Sequence, residues 1–148
     1  MNNIIDEKVV FNTLVRAEPG VVYDAMTTAA GLDGWFTTGA SVDARPGGRI
    51  NFRWENWGLD RYTGELGGPV LEAQRPERFV FQWKVDYGSY NTTVDIDFEA
   101  VKEGTVVRLT EYGYENDSFM IKNMLNRASG WAQALTIMKF YLEHGVTY

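Results

Sequence analysis

Three short rows of alternating side chains constrain this chain more than any other feature. Ile50, Phe52 and Trp54 stand at every second position, with Asn51, Arg53 and Glu55 between them. Phe79, Phe81 and Trp83 form a second row, and Val94, Ile96 and Phe98 a third. Successive side chains of a strand point to opposite faces, so each row turns one face apolar and leaves the other wet. A sheet of such strands must have its dry face covered. The cover is legible at the C-terminus. Met124, Ala128, Trp131, Leu135, Met138 and Leu142 recur in alternating steps of four and three. That spacing is the apolar stripe of one long helix. Asn116 or Asp117 can cap its start, and Gly145 stands just past its end.

Strands are expected over 8–16, 39–44, 49–55, 61–66, 70–74, 78–84, 92–100 and 105–113. Between them lie the turns Arg45-Pro46-Gly47-Gly48, Gly67-Gly68-Pro69, Arg75-Pro76-Glu77, Asp86-Tyr87-Gly88-Ser89 and Lys102-Glu103-Gly104. Connections this short join antiparallel neighbours, hence a meander. Pro19 suits the first turn of a short helix running to about Thr28. A second short helix is expected over 29–36, ending in the anchor pair Trp35-Phe36. The order is strand, two short helices, six or seven strands, then a long helix. It describes an α+β fold, an antiparallel sheet wrapped around its C-terminal helix.

The 148 residues suggest one domain, 1–148, with no linker or repeat in it. Against 20 Asp and Glu there are 14 Lys and Arg, a net charge of −6, and no basic cluster. Nucleic acid is therefore not an expected partner, nor is an acidic lipid surface. No apolar run reaches the roughly 20 residues of a membrane span, so no membrane insertion is expected. The first residues lack a signal-peptide pattern, and a cytoplasmic location follows as the expectation. With no cysteine, disulfides, thiolate catalysis, iron–sulfur clusters and cysteine zinc sites all fall away. Aromatic residues make up 14% of the chain, enough either to thicken a core or to line a hydrophobic pocket.

A set of ordered segments adds a family likeness. Val22-Tyr23-Asp24-Ala25-Met26-Thr27 leads to Leu32 and Trp35, and Gly47-Gly48, Tyr62-Thr63-Gly64-Glu65 and Pro76-Glu77-Arg78-Phe79-Val80-Phe81-Gln82-Trp83 follow. Gly104-Thr105-Val106-Val107-Arg108-Leu109-Thr110-Glu111 and Gly130-Trp131, with Leu135 behind, complete it. Together, over about Val9 to Glu143, they resemble the START-like, or SRPBCC, superfamily. The branch they are most similar to is the domain first named after the activator of the heat-shock-protein-ninety ATPase. The resemblance implies a helix-grip fold with a cavity between curved sheet and helix. It implies binding of lipids, sterols, hormones or polyketides, with a minority of members acting as cyclases, aromatases or oxygenase subunits. A chaperone activator would carry a further N-terminal domain, so the branch's name is a poor guide to function.

The inner aromatic face is the candidate ligand site. Phe52, Trp54, Phe81 and Trp83 from the sheet would meet Met124, Trp131 and Leu135 from the helix, with Trp35 beneath. A solid core would explain the same residues. Glu111 shares a strand face with Val107 and Leu109, so it should point inward, where burial penalises a bare carboxylate. It could orient a ligand's polar end, or act as acid/base in a hydrolase or cyclase; at the strand end it could also be simply solvated. A third reading is a protein-interaction or chaperone-cofactor-like module, using Trp57, Tyr87 and Tyr90 in exposed turns. A homodimer is among the assemblies left open. No cofactor and no metal are expected. His144 stands alone at the helix end, where it complements the dipole, and Asp95, Asp97 and Glu99 lie on the wet face. Gly64 to Gly68 reads as a hairpin rather than a phosphate loop. Gly130, mid-helix, is expected to let a strand, a short helix or a ligand approach the backbone, unless it is a tolerated surface glycine.

Overall fold

The computed structural model describes residues 3–85 and 90–147, so the expected turn at Asp86-Tyr87-Gly88-Ser89, Tyr87 included, lies outside the described residues. Among the described residues, β1 (Val9–Val15) is followed by α1 (Pro19–Thr27) and α2 (Ala29–Asp33). Then come β2 (Ser41–Val42), β3 (Arg49–Trp57), β4 (Tyr62–Gln74), β5 (Arg78–Lys84), β6 (Asn91–Val101) and β7 (Gly104–Tyr112), and last α3 (Ser118–His144). The strands form one antiparallel sheet in the order β1-β7-β6-β5-β4-β3-β2. From β2 to β7 this is the expected meander. β1 returns to pair with β7, Val9 opposite Glu111.

The strand expected over 39–44 is only Ser41–Val42, and the expectation for 61–74 fails outright. Gly67-Gly68-Pro69 is not a turn, and Gly64 to Gly68 is not a hairpin: the two strands expected over 61–66 and 70–74 are the single strand β4. A Cβ on Gly68 would stand 2.0 Å from the Gln82 carbonyl oxygen, and one on Gly67 2.6 Å from that of Ile50. The glycines are there because β3 and β5 close in on β4 from either side, not because the chain reverses. A register shift between Val70 and Glu72 adds a bulge a few residues on, and such irregularities bend a strand. They help curve the sheet.

The helix ends follow local chemistry. Pro19 opens α1, and the Thr28 hydroxyl caps α2 by accepting the Gly31 N–H at 2.9 Å. α2 is shorter than expected because Asp33 Oδ1 accepts from the Thr37 hydroxyl and from the N–H groups of Gly39 and Ala40. Those bonds hold the chain after Asp33 in a turn that carries Trp35 and Phe36. Asp117, not Asn116, caps α3 by accepting the Met120 N–H at 2.9 Å. Gly145 closes the helix at φ +68°, a left-handed conformation suited to glycine.

All nine residues of the three alternating rows are at most 5% exposed. α3 covers them unevenly. Trp131, Ala134, Leu135 and Met138 are buried, whereas no residue between Met120 and Trp131 is. The C-terminal half is further tied to β1 by the Lys139 ammonium, which donates to the Leu14 carbonyl and pairs with Glu143. The N-terminal half stands over a hollow.

Candidate functional site

That hollow is a half-open cavity of about 610 Å³ between α3, the β3–β4 tip and β5. Its size falls within the range of small-molecule sites, roughly 300–1,000 Å³. Six aromatic side chains line it: Phe36, Trp54, Trp57, Tyr62, Trp83 and Trp131. Polar groups gather on the helix side, where Asn123, Asn126, Arg127 and Gln133 reach the wall. At the mouth, Leu59 is 91% exposed. The tip that carries it turns tightly, with Asn56 and Arg61 at φ +51° and +52° and Gly58 at +76°.

The wall is built on a buried polar cluster. Glu111, the next-to-last residue of β7, is wholly buried. Its Oε2 accepts from Trp83 Nε1 at 2.7 Å, the Thr92 hydroxyl at 2.6 Å and Arg127 Nη1 at 2.9 Å, and Oε1 accepts from Trp131 Nε1 at 3.1 Å. One carboxylate thus joins β5, β6, β7 and α3. Three of the four partners, Trp83, Trp131 and Arg127, can only donate. The Arg127 guanidinium lies over the Trp83 ring at 4.6 Å, and Trp83 stacks on Trp131 at 5.3 Å. Beside this cluster the phenol of Tyr114 is pushed well above its ordinary range, first by burial and then by the Glu111 charge.

The structure brings Trp54, Trp83 and Trp131 to the cavity wall. Phe52, Phe81 and Leu135 pack in the core behind it, and Met124 is half-buried against that core. Trp35 stacks on Phe36 at 4.8 Å, donates to the Ala25 carbonyl, and borders a smaller hollow of about 210 Å³. Glu111 points inward; the solvated alternative is overturned by its complete burial. Trp57 and Tyr90 are not exposed turn residues. Trp57 ends β3, half-buried in the cavity wall, and the half-buried Tyr90 hydroxyl accepts the Glu115 N–H at 3.0 Å. Arg127 went unread, although it precedes Trp131 by four residues, one turn along the same face.

Gly130 needs a correction. A Cβ there would meet nothing within 4 Å, so no strand or short helix presses on its backbone; it lines the cavity instead. Asp97 and Glu99 are exposed as expected. Asp95 is half-buried and paired with Arg78 at 2.7 Å, and burial raises its pKa. Among the described residues, no three His, Asp or Glu side chains are placed to share a metal ion, and no helix is long and apolar enough to cross a membrane.

Residues 16–143 match the family model described as Activator of Hsp90 ATPase homolog 1-like protein. No curated protein sequence matches the chain. Among solved structures, a Staphylococcus saprophyticus protein is 25% identical at a TM-score of 0.76, with 96% of each chain covered. The solution structure of the Aha1 dimer from Colwellia psychrerythraea is also 25% identical at 0.76, covering 94% of this chain and 98% of that one. DynU16, a putative protein in the dynemicin biosynthetic locus, shares the fold at 18% identity and a TM-score of 0.79, over 95% of this chain and 49% of its own.

Proposed function

Since the chain belongs to the Activator of Hsp90 ATPase homolog 1-like family, within the START-like fold, we propose that it binds a small hydrophobic or amphipathic molecule between sheet and helix. The observation that carries this reading is the 610 Å³ aromatic-walled cavity under the N-terminal half of α3. Its wall combines aromatic faces with a few convergent polar groups, the lining of a small-molecule site. Glu111 serves binding indirectly, by fixing Trp83, Trp131 and Arg127 in the wall. A hydrolase or cyclase role for Glu111 is the weaker alternative, since four donors already engage its oxygens. We read residues 1–148 as a single cytoplasmic unit. The Colwellia relative's dimer makes a homodimer the assembly to test first, by light scattering.

Native mass spectrometry and a thermal-shift screen over fatty acids, sterols, flavonoids and polyketides test the reading. At least one class should raise the melting temperature and ride with the protein. Gly130→Trp should abolish that shift by growing into the open cavity, while leaving the unliganded protein folded. No shift from any class, or shifts unchanged in Gly130→Trp, would overturn the proposal.

A further inference from the structure

Two N–H donors in the cavity wall have uses left open. Among the described residues, the Arg127 guanidinium makes one hydrogen bond, Nη1 to Glu111, out of the five it can donate. Its side chain is 12% exposed and lines the cavity, so its remaining donors are left for water or for a ligand. Trp54, 5% exposed and also in the wall, carries an indole N–H that no acceptor among the described residues takes. A buried donor without a partner is costly in a protein interior, and a ligand that brings an acceptor removes the cost.

Charge narrows the choice further. The ionisable lining residues are Arg127 and Asp60, with Tyr62 as a phenol, and Glu111 stands directly behind. One cation faces two carboxylates, so an anionic ligand meets a site already biased against it. The remaining wall is aromatic surface with uncharged amides, Asn123, Asn126 and Gln133, on the helix side. Building on the reading that this cavity holds a ligand, we infer that its occupant is an uncharged aromatic molecule bearing a carbonyl-type acceptor, received by Arg127 and Trp54.

Three naphthalenes of matched shape separate the possibilities: 2-acetylnaphthalene, its acceptor-free counterpart 2-ethylnaphthalene, and the anion 2-naphthoate. Calorimetric titration of the wild type should rank the ketone about tenfold or more tighter than the hydrocarbon, the return on one hydrogen bond to a charged donor. The carboxylate should bind more weakly than the ketone. Trp54→Phe keeps a ring and removes the N–H; Arg127→Lys keeps a cation beside Glu111 and removes the planar fork. The ketone's advantage should fall in both, to about threefold or less. Equal binding of ketone and hydrocarbon overturns the inference and leaves the cavity reading intact. Tightest binding by 2-naphthoate overturns the uncharged assignment, and an advantage that survives in both variants overturns the two donors. Failure of all three probes to bind counts against this inference, and the broader ligand screen then decides the parent reading separately.

Discussion

Replacing Glu111 by Gln changes one buried atom from acceptor to donor, and its cost can be worked from the geometry. The best placement puts the amide oxygen where Oε2 was, so that it still accepts from Trp83, Thr92 and Arg127 at 2.6–2.9 Å. The amide nitrogen then stands where Oε1 was, 3.1 Å from the Trp131 indole nitrogen. Donor faces donor there, and a buried unsatisfied polar group costs about 1–3 kcal/mol. Arg127 also loses its counter-charge. Breaking a buried pair from one side costs about 3–5 kcal/mol in a sealed interior, but Arg127 borders an open cavity and can take up water. The expected total is therefore near the lower limit, about 3 kcal/mol. With a urea slope of about 2 kcal/mol/M, the unfolding midpoint should fall by roughly 1.5 M. Arg127→Met alone should cost a similar amount, and the double variant about 1–2 kcal/mol less than the sum, because it leaves neither charge stranded. A Glu111→Gln protein destabilised by under about 1 kcal/mol, or strict additivity in the double, would refute the buried Glu111–Arg127 coupling.

Three further outcomes follow from other parts of the molecule. Gly130→Ala should raise stability by up to about 1 kcal/mol in urea melts, because a methyl there meets open space and the helix gains propensity. Gly68→Ala should do the opposite, costing about 3 kcal/mol, since its Cβ must displace the Gln82 carbonyl of the neighbouring strand; a neutral variant would refute the tight strand approach. The Arg75 guanidinium, bound to Asp24 by two 2.9 Å hydrogen bonds, holds that carboxyl below its ordinary value. Because the folded value is lowered, the pair's contribution is complete above the unfolded pKa of 3.8 and is lost as pH falls through the folded one. Both side chains are about half-exposed, so Asp24→Asn should cost under about 1 kcal/mol at pH 7 and progressively less as pH falls below 3.8 in parallel urea melts; a difference independent of pH would exclude this pair as its source.

The meander and the long helix were readable because period-two and period-3.5 apolar patterns exclude one another. Ile50-Phe52-Trp54 cannot present one face as a helix, and the stripe from Met124 to Leu142 cannot do so as a strand. β4 was misread for a physical reason. Gly67-Gly68-Pro69 carries the composition of a turn, and only the neighbouring Ile50 and Gln82 carbonyls show that the glycines answer to crowding. At the site, Glu111's inward direction followed from alternation. Its partners did not, because Trp83, Thr92, Arg127 and Trp131 come from three other elements and meet only when the sheet closes on α3. Trp57 looked like a surface residue beside Gly58, but the hairpin tip it borders forms part of the cavity wall. The hollow itself was unreadable from the stripe, which continues through Met124 and Ala128 even where the helix is only partly covered.

The pairing of β1 with β7 also sets a schedule for the newborn chain. Val9 and its partner Glu111 are 102 positions apart, whereas β2 to β7 each meet their next neighbour across a short connection. At about 5–20 residues per second of synthesis, the first strand waits roughly 5–20 s for its place in the sheet. During that interval the strands already made can zip up locally, while the N-terminal strand remains an unmatched edge. Glu111 arrives with β7, but Arg127 and Trp131 come later still, on α3. The carboxylate that joins four elements therefore acquires its full set of partners only once α3 has been made.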